Sequence, residues 1–159
     1  LEISNPPLER TTLSPPLILP AHFWDLLKIW ELEKACFDND AWGLFELTLA
    51  CLTPAVRLKA LAGEQMVGFV MGEPRPAEGC AWIATIGVHP HFQRRGIGAQ
   101  LLAAAEARLT EPIVKLTVRE SNMGALALYE KFGYVAIRRW ERYYSGGEAG
   151  IVMEKYRHL

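Results

Sequence analysis

The sequence is short of cysteine, of net charge and of long apolar runs. Three cysteines, Cys36, Cys51 and Cys80, are scattered through 159 residues with no pairing spacing. An odd, dispersed set supplies neither a disulfide framework nor a metal-ligand pattern, so no metal is expected. It fits free thiols buried in a core, in a chain working in a reducing cytoplasm. Seventeen Lys and Arg stand against eighteen Asp and Glu, a formal charge of −1. Without a basic run, nucleic acid is not indicated as a partner. No apolar stretch nears the roughly 20 residues needed to span a bilayer, and no secretory leader pattern is expected at the start, so no membrane partner is indicated either. No internal repeat is visible, which excludes solenoids and propellers.

What is present is a globular composition: 50% hydrophobic and 22% charged residues. The length suits one domain with a real core. Residues 1–16 hold Pro6, Pro7, Pro15 and Pro16 among polar residues and read as an irregular arm. Residues 17–159 read as a single domain. Leu17 to Leu19 suggests a short edge strand. Ala21 to Phe37 has helical periodicity, with Phe23, Leu26, Leu27, Trp30, Ala35 and Phe37 as the apolar face and Lys28, Glu31, Glu33 and Lys34 opposite. A second, almost wholly apolar helix is expected over Trp42 to Leu52. The pair fits either one wall of an acceptor cleft or a plain cover for a sheet. Val56 to Leu61 and Met66 to Met71 form a hairpin about a turn at Gly63. Glu73 to Gly79, with two prolines, reads as a loop. Strands follow at Cys80 to Val88 and Ile113 to Val118, a helix at Ala125 to Phe132, and strands at Tyr134 to Ile137 and Ile151 to Met153. Arg138 to Gly150 reads as a long polar loop. The result is a mixed α/β (α+β) fold of six or seven strands and about four helices.

The most informative stretch runs from the strand ending Ile86-Gly87-Val88 through Gln93-Arg94-Arg95-Gly96-Ile97-Gly98 into a helix beginning at Ala99. The order is strand, glycine-containing turn, helix. Such a helix start presents unpaired N–H groups and partial positive charge, and Arg94 and Arg95 add full charges. It is a seat for a pyrophosphate. Neither the G-x-G-x-x-G dinucleotide fingerprint nor the phosphate loop with Gly-Lys-Ser/Thr fits it. A glycine turn before a core helix is the plain alternative on this stretch alone.

The Gln-x-x-Gly-x-Gly run resembles the acyl-CoA signature of the GCN5-related N-acetyltransferase (GNAT) superfamily, with Val88-His89-Pro90 similar to that family's strand ending. The resemblance implies a mixed, mostly antiparallel sheet whose two central strands splay apart to admit acetyl-CoA, the co-substrate. It also implies that Gln93, Arg94, Arg95, Gly96, Ile97, Gly98 and Ala99 hold the pyrophosphate. Ile86, Gly87 and Val88 would pair with the pantetheine arm through their backbone, and Asn122 would bond the arm. Val118-Arg119-Glu120-Ser121-Asn122 through Leu128-Tyr129, and then Arg142-Tyr143-Tyr144, are similar to runs of the protein N-terminal acetyltransferases, most of all the ribosomal protein S18 alanine N-acetyltransferase group. On that likeness Tyr129 is the general acid, and Tyr143 and Tyr144 hold the substrate peptide. Tyr129 as plain core and Asn122 as a plain helix cap stay open beside these roles.

One position departs from the pattern. The S18 group carries a glutamate base at the strand position that is Thr117 here. Glu73, Glu78, Glu120 and His89 are substitutes by residue type only. The acceptor expected from the resemblance is a primary amine, a protein or peptide N-terminus. The missing glutamate leaves room for a small amine or a lysine side chain, or for a CoA-binding module without turnover. Monomer and homodimer fit equally.

Overall fold

The computed structural model describes residues 15–157. Apart from Pro15 and Pro16, the arm expected at the start lies outside the described residues. Seven strands form one sheet among them: β1 (Leu17–Pro20), β2 (Val56–Ala62), β3 (Gln65–Arg75), β4 (Cys80–Val88), β5 (Ile113–Arg119), β6 (Val135–Trp140) and β7 (Gly150–Tyr156). The strand order is β1-β2-β3-β4-β5-β7-β6. Every described neighbour pairing is antiparallel except β4 with β5, which is parallel. The four helices are α1 (Leu26–Phe37), α2 (Leu44–Cys51), α3 (Ile97–Glu106) and α4 (Met123–Lys131). Strand order and direction give the mixed, mostly antiparallel sheet that the sequence motifs imply.

The helices cover both faces. Leu101, Leu102 and Ala105 of α3 are fully buried against Leu58, Ala60, Val70, Leu116 and Met153 of the sheet. On the other face Leu26, Ile29 and Leu32 of α1 and Leu47 of α2 pack with Phe69. Parallel strands need a crossover, and α3 supplies it between β4 and β5.

Three elements differ from the sequence expectation. β3 runs on to Arg75 through Pro74, where a loop is expected. The last pair between β2 and β3 is Val56 with Gly72, so Pro74 lies beyond the reach of β2 and its missing N–H costs no ladder bond. β6 runs to Trp140, with Arg138, Arg139 and Trp140 pairing to Val152, Ile151 and Gly150. An exposed edge strand tolerates such charges, which read as loop in the sequence. The first helical stretch begins as a 3-10 turn (Phe23–Asp25), and its buried face is not the expected one. Leu26, Ile29, Leu32 and Glu33 are buried, while Phe23, Trp24 and Leu27 are exposed. Asp25 sets this entry: its carboxylate accepts from the His22 N–H at 2.8 Å and from Lys59 of β2 at 2.7 Å.

The feature that positions the site is a bulge. Met71 pairs with Thr85 but Gly72 pairs with Ile83, so Ala84 is an extra residue on β4. One inserted residue reverses the alternation of faces. Ala81 and Ile83 before it, and Ile86 and Val88 after it, all lie on the α3 side. Thr85 and Gly87 therefore turn toward α1.

Candidate active site

Pairing of β4 with β5 stops at Ile83 with Leu116, where the bulge begins. From there the strands part, while β5 stays paired to β7 as far as Arg119 with Gly150. The gap holds one cavity and shares lining residues with two larger ones.

The first is a groove of about 550 Å³ along the start of α3. Arg94 (φ 64°) and Gly96 (φ 78°) are both left-handed and reverse the chain between β4 and the helix. Glycine accepts that conformation without strain. The first bond of α3 runs from the Gln100 N–H to the Gly96 carbonyl at 3.1 Å, so the N–H groups of Ile97, Gly98 and Ala99 have no helical partner. The Gln93 side chain donates to the Val88 carbonyl at 3.0 Å and pins the turn to the end of β4. Ile86, Gly87, Val88, Gln93, Arg94, Gly96, Ile97, Gly98, Ala99 and Asn122 all line the groove, together with Lys131 of α4. The Arg94 guanidinium reaches across to Gly124 at the start of α4. Free amides facing two cations fit a diphosphate. Arg95 is not among the lining residues; its guanidinium lies over the Phe92 ring, 5.1 Å from the centroid.

Asn122 caps α4, its Oδ1 accepting from the Ala125 N–H at 3.1 Å, and its side chain still borders the groove. Gly87 lines the groove, and packing against α1 accounts for the glycine there. A Cβ on it would come within 3.0 to 3.3 Å of Phe69, Cys36 and Phe37, so the glycine lets α1 seat on β4.

The second cavity, about 170 Å³, fills the gap itself. Tyr129 lies where the groove and this cavity meet and lines both. It is buried, with its ring edge against Tyr134 at 5.9 Å, and burial pushes its phenol up to about 12. Thr117 of β5 also lines the gap, and its hydroxyl oxygen is buried with no hydrogen-bond partner among the described residues. Glu33 of α1, placed on the solvent side by the sequence pattern, is instead fully buried here. Its Oε1 accepts from the Thr85 hydroxyl at 2.7 Å and its Oε2 from the Trp42 N–H at 3.2 Å. Burial drives its carboxyl above the ordinary range, against the pull of those two donors. An acidic residue continuing the stripe Leu26, Ile29, Leu32 is the signal that would have found it.

The third cavity, about 460 Å³, opens on the far side of the gap. Trp42, Trp82, Tyr143 and Tyr144 wall it, with Asp40 and Glu73. Glu33 and Phe37 of α1 and Trp42, just ahead of α2, are the parts of that helical pair that reach the cleft. The Tyr144 hydroxyl donates to the Thr117 carbonyl at 3.1 Å, and Tyr143 packs on Trp140. Arg119, unmarked in the sequence as a site residue, ties the walls together. Its guanidinium bonds both Asp40 and Glu148 and lies 4.7 Å from the Tyr144 ring centroid. The Ser145 N–H donates to Asp40 at 2.9 Å. Hydrogen bonds from Ser121, then Arg119, pull the Glu148 carboxyl down to about 2.

The four substitute bases expected by type are scattered. Glu120 is exposed and paired with Arg139, Glu78 is exposed near Arg75, and the His89 ring accepts from the His91 N–H. Glu73 alone borders a described cavity, 3.5 Å from Arg75. Of the three thiols, Cys80 is buried as expected, whereas Cys36 and Cys51 are only partly buried. Burial and the neighbouring Glu33 push the Cys36 thiol up to about 12. Among the described residues no helix is long and apolar enough to cross a membrane, and no group of three His, Cys, Asp or Glu could hold a metal.

Comparison with known proteins agrees with this geometry. Residues 22–134 match the profile described as "Acetyltransferase (GNAT) family". The chain is 38% identical over 133 residues to the N-alpha-acetyltransferase RimI of Mycobacterium tuberculosis, covering 79% of this chain and 83% of that protein. It is 35% identical over 101 residues to NAA20, the catalytic subunit of the N-terminal acetyltransferase B complex of Arabidopsis thaliana, covering 58% of this chain and 57% of that protein's length. The crystal structure of the ribosomal-protein-S18-alanine N-acetyltransferase from Escherichia coli superposes with a TM-score of 0.80 at 24% identity, covering 91% of this chain and 95% of that one, a likeness of fold. The chain belongs to the GNAT family of acetyltransferases, and it is an N-acetyltransferase that uses acetyl-CoA.

Proposed function

We propose that the protein moves the acetyl group of acetyl-CoA to the free amine of a protein or peptide N-terminus. The observation that carries this reading is the three-cavity line. A diphosphate seat lies at one end, an aromatic-walled cavity at the other, and Tyr129 and Thr117 face the gap between them. The RimI relative is an N-alpha-acetyltransferase, which supports the same acceptor class.

The N–H groups of Ile97, Gly98 and Ala99, with Arg94 and Lys131, hold the diphosphate. The backbone of Ile86, Gly87 and Val88, left without a β5 partner, lies along the arm, and Asn122 bonds it from α4. A backbone N–H of parted β4 stabilises charge on the thioester oxygen as the amine attacks. Tyr129 then delivers its proton to the departing sulfur. Tyr143 and Tyr144 flank the incoming peptide, and the Arg119 ties to Asp40 and Glu148 keep the two connecting loops in register around it. Fixing both substrates in one line supplies much of the rate.

The test is mass spectrometry of products formed from acetyl-CoA. One panel holds peptides with a free N-terminus, a second the same peptides N-blocked but with an internal lysine, and a third small amines. Acetylation confined to free N-termini is the expected result. Product only from the second or third panel overturns the acceptor assignment, and product from none overturns turnover itself.

A further inference from the structure

The amine reaches the enzyme as an ammonium ion, and its first proton needs a destination. Position 117 supplies no carboxylate, Glu78, Glu120 and His89 are engaged elsewhere, and Glu73 lines the third cavity rather than the gap, 3.5 Å from Arg75. Of the two carboxylates that line the gap, Asp40 is paired with Arg119, and Glu33 has no ion-pair partner among the described residues. Glu33 lines the same 170 Å³ cavity as Thr117, Tyr129 and Tyr144. Its Thr85 and Trp42 donors occupy one acceptor position on each oxygen, and a carboxylate oxygen has two. Lining the same cavity is the buried Thr117 hydroxyl, which has no hydrogen-bond partner among the described residues. A cavity of about 170 Å³ has room for ordered water, and the unpartnered Thr117 hydroxyl and the remaining acceptor positions of Glu33 are the polar groups that would hold one.

We propose that Glu33 receives the first proton of the acceptor amine, through a water held between its carboxylate and the Thr117 hydroxyl. This rests on the reading of the gap as the acetyl-transfer site. The ammonium gives a proton to the water, which passes one to Glu33, leaving a neutral amine. The nitrogen lone pair forms the C–N bond and the C–S bond breaks. Sulfur takes the proton of Tyr129, and the second proton lost by nitrogen restores the phenol. Glu33 returns its proton to solvent as the products leave, so one ammonium and one thioester yield one amide, one thiol and one proton.

The groups around Glu33 suit the role. Cys36 on the same helix is a neutral thiol near neutral pH. Asp40, from the turn after α1, is matched by Arg119 of β5. Tyr129 of α4 and Tyr144 of the β6–β7 connection are neutral phenols, both pushed up by burial. No bare cation among these holds the carboxyl down, and desolvation raises its proton affinity.

The experiment is kcat/KM for a free N-terminal peptide from about pH 6 to pH 9.5, spanning the α-amine value near 8. Wild type, Glu33→Gln and Thr85→Val are compared, with acetyl-CoA binding measured for each. Glu33→Gln is expected to lose about 10²- to 10³-fold near pH 6.5, and the deficit is expected to shrink below about tenfold once the amine is already neutral. A deficit of constant size at every pH shows a merely structural residue and overturns the proposal. Thr85→Val keeps the carboxylate and removes a donor to its charged form, so the acid limb of the profile should move to higher pH with the alkaline plateau unchanged. An unmoved limb also overturns the proposal, whether or not the glutamine variant folds. Failure of wild type to acetylate any amine would instead strike the functional reading on which this rests.

Discussion

Replacing Tyr129 by phenylalanine removes one hydroxyl from the point where the cofactor groove meets the gap. The ring stays, so its packing in the α3-side core and its edge contact with Tyr134 at 5.9 Å survive. Among the described residues no hydrogen bond engages the Tyr129 hydroxyl, so its loss should change stability by less than about 1 kcal/mol. Transfer from a positioned acid contributes about 10²- to 10⁴-fold, or about 3 to 5.5 kcal/mol of barrier. Burial holds the phenol near 12, protonated at any working pH, so the acid is always loaded and the loss should not depend on pH between 6 and 9. Single-turnover acetylation at saturating acetyl-CoA is the suitable assay, because it reads chemistry free of product release. A rate constant reduced at least a hundredfold, with acetyl-CoA affinity and melting temperature nearly unchanged, is expected. A rate constant within threefold of wild type would refute the assignment and leave Tyr129 as core.

Two further outcomes follow from the ion pairs. Burial pulls the Asp25 carboxyl up, but the Lys59 hydrogen bond and charge with the His22 N–H outweigh it, and the carboxyl lies below its ordinary value of 3.8. A depressed carboxyl stabilises the fold above about pH 4, and that contribution is lost as pH falls through its folded value. Lys59→Met strands the buried carboxylate, at a cost of about 3 kcal/mol, the low end for a pair in which Lys59 keeps some exposure. Melting at pH 7 should fall by about 6–12 °C, with a smaller deficit near pH 4, where Asp25 can protonate. An equal deficit at both pH values would show that the lysine acts through its stem alone. Arg119→Met releases Asp40 and Glu148 together, and steady-state kinetics should show kcat/KM for the peptide down about tenfold or more with acetyl-CoA affinity kept. Loss of acetyl-CoA affinity instead would place Arg119 in the cofactor groove.

Residues whose meaning is local were legible before the fold was known. The left-handed turn before α3 needs glycine at 96, and the helix it starts carries Leu101, Leu102 and Ala105 at regular spacing. Asn122 is a cap by residue type and a cap in the fold. Features set by a neighbouring strand or helix were not legible. The extra residue at Ala84 hides inside a run that is apolar but for Thr85, since only the register against β3 reveals it. Pro74 reads as loop unless β2 is known to stop short of it. Glu33 reads as solvent-facing because Phe23 and Leu27 suggest the wrong face for α1. The Asp25 anchor, which sets the true face, depends on Lys59, 34 residues away.

The central claim is that acetyl-CoA docks its diphosphate on the free amides where α3 begins. Hydrogen exchange of the Ile97, Gly98 and Ala99 amides, with and without saturating acetyl-CoA, reads those groups directly. Strong slowing at all three, reversed on removing the ligand, is the predicted result. Unchanged exchange there while the ligand demonstrably binds would contradict the account.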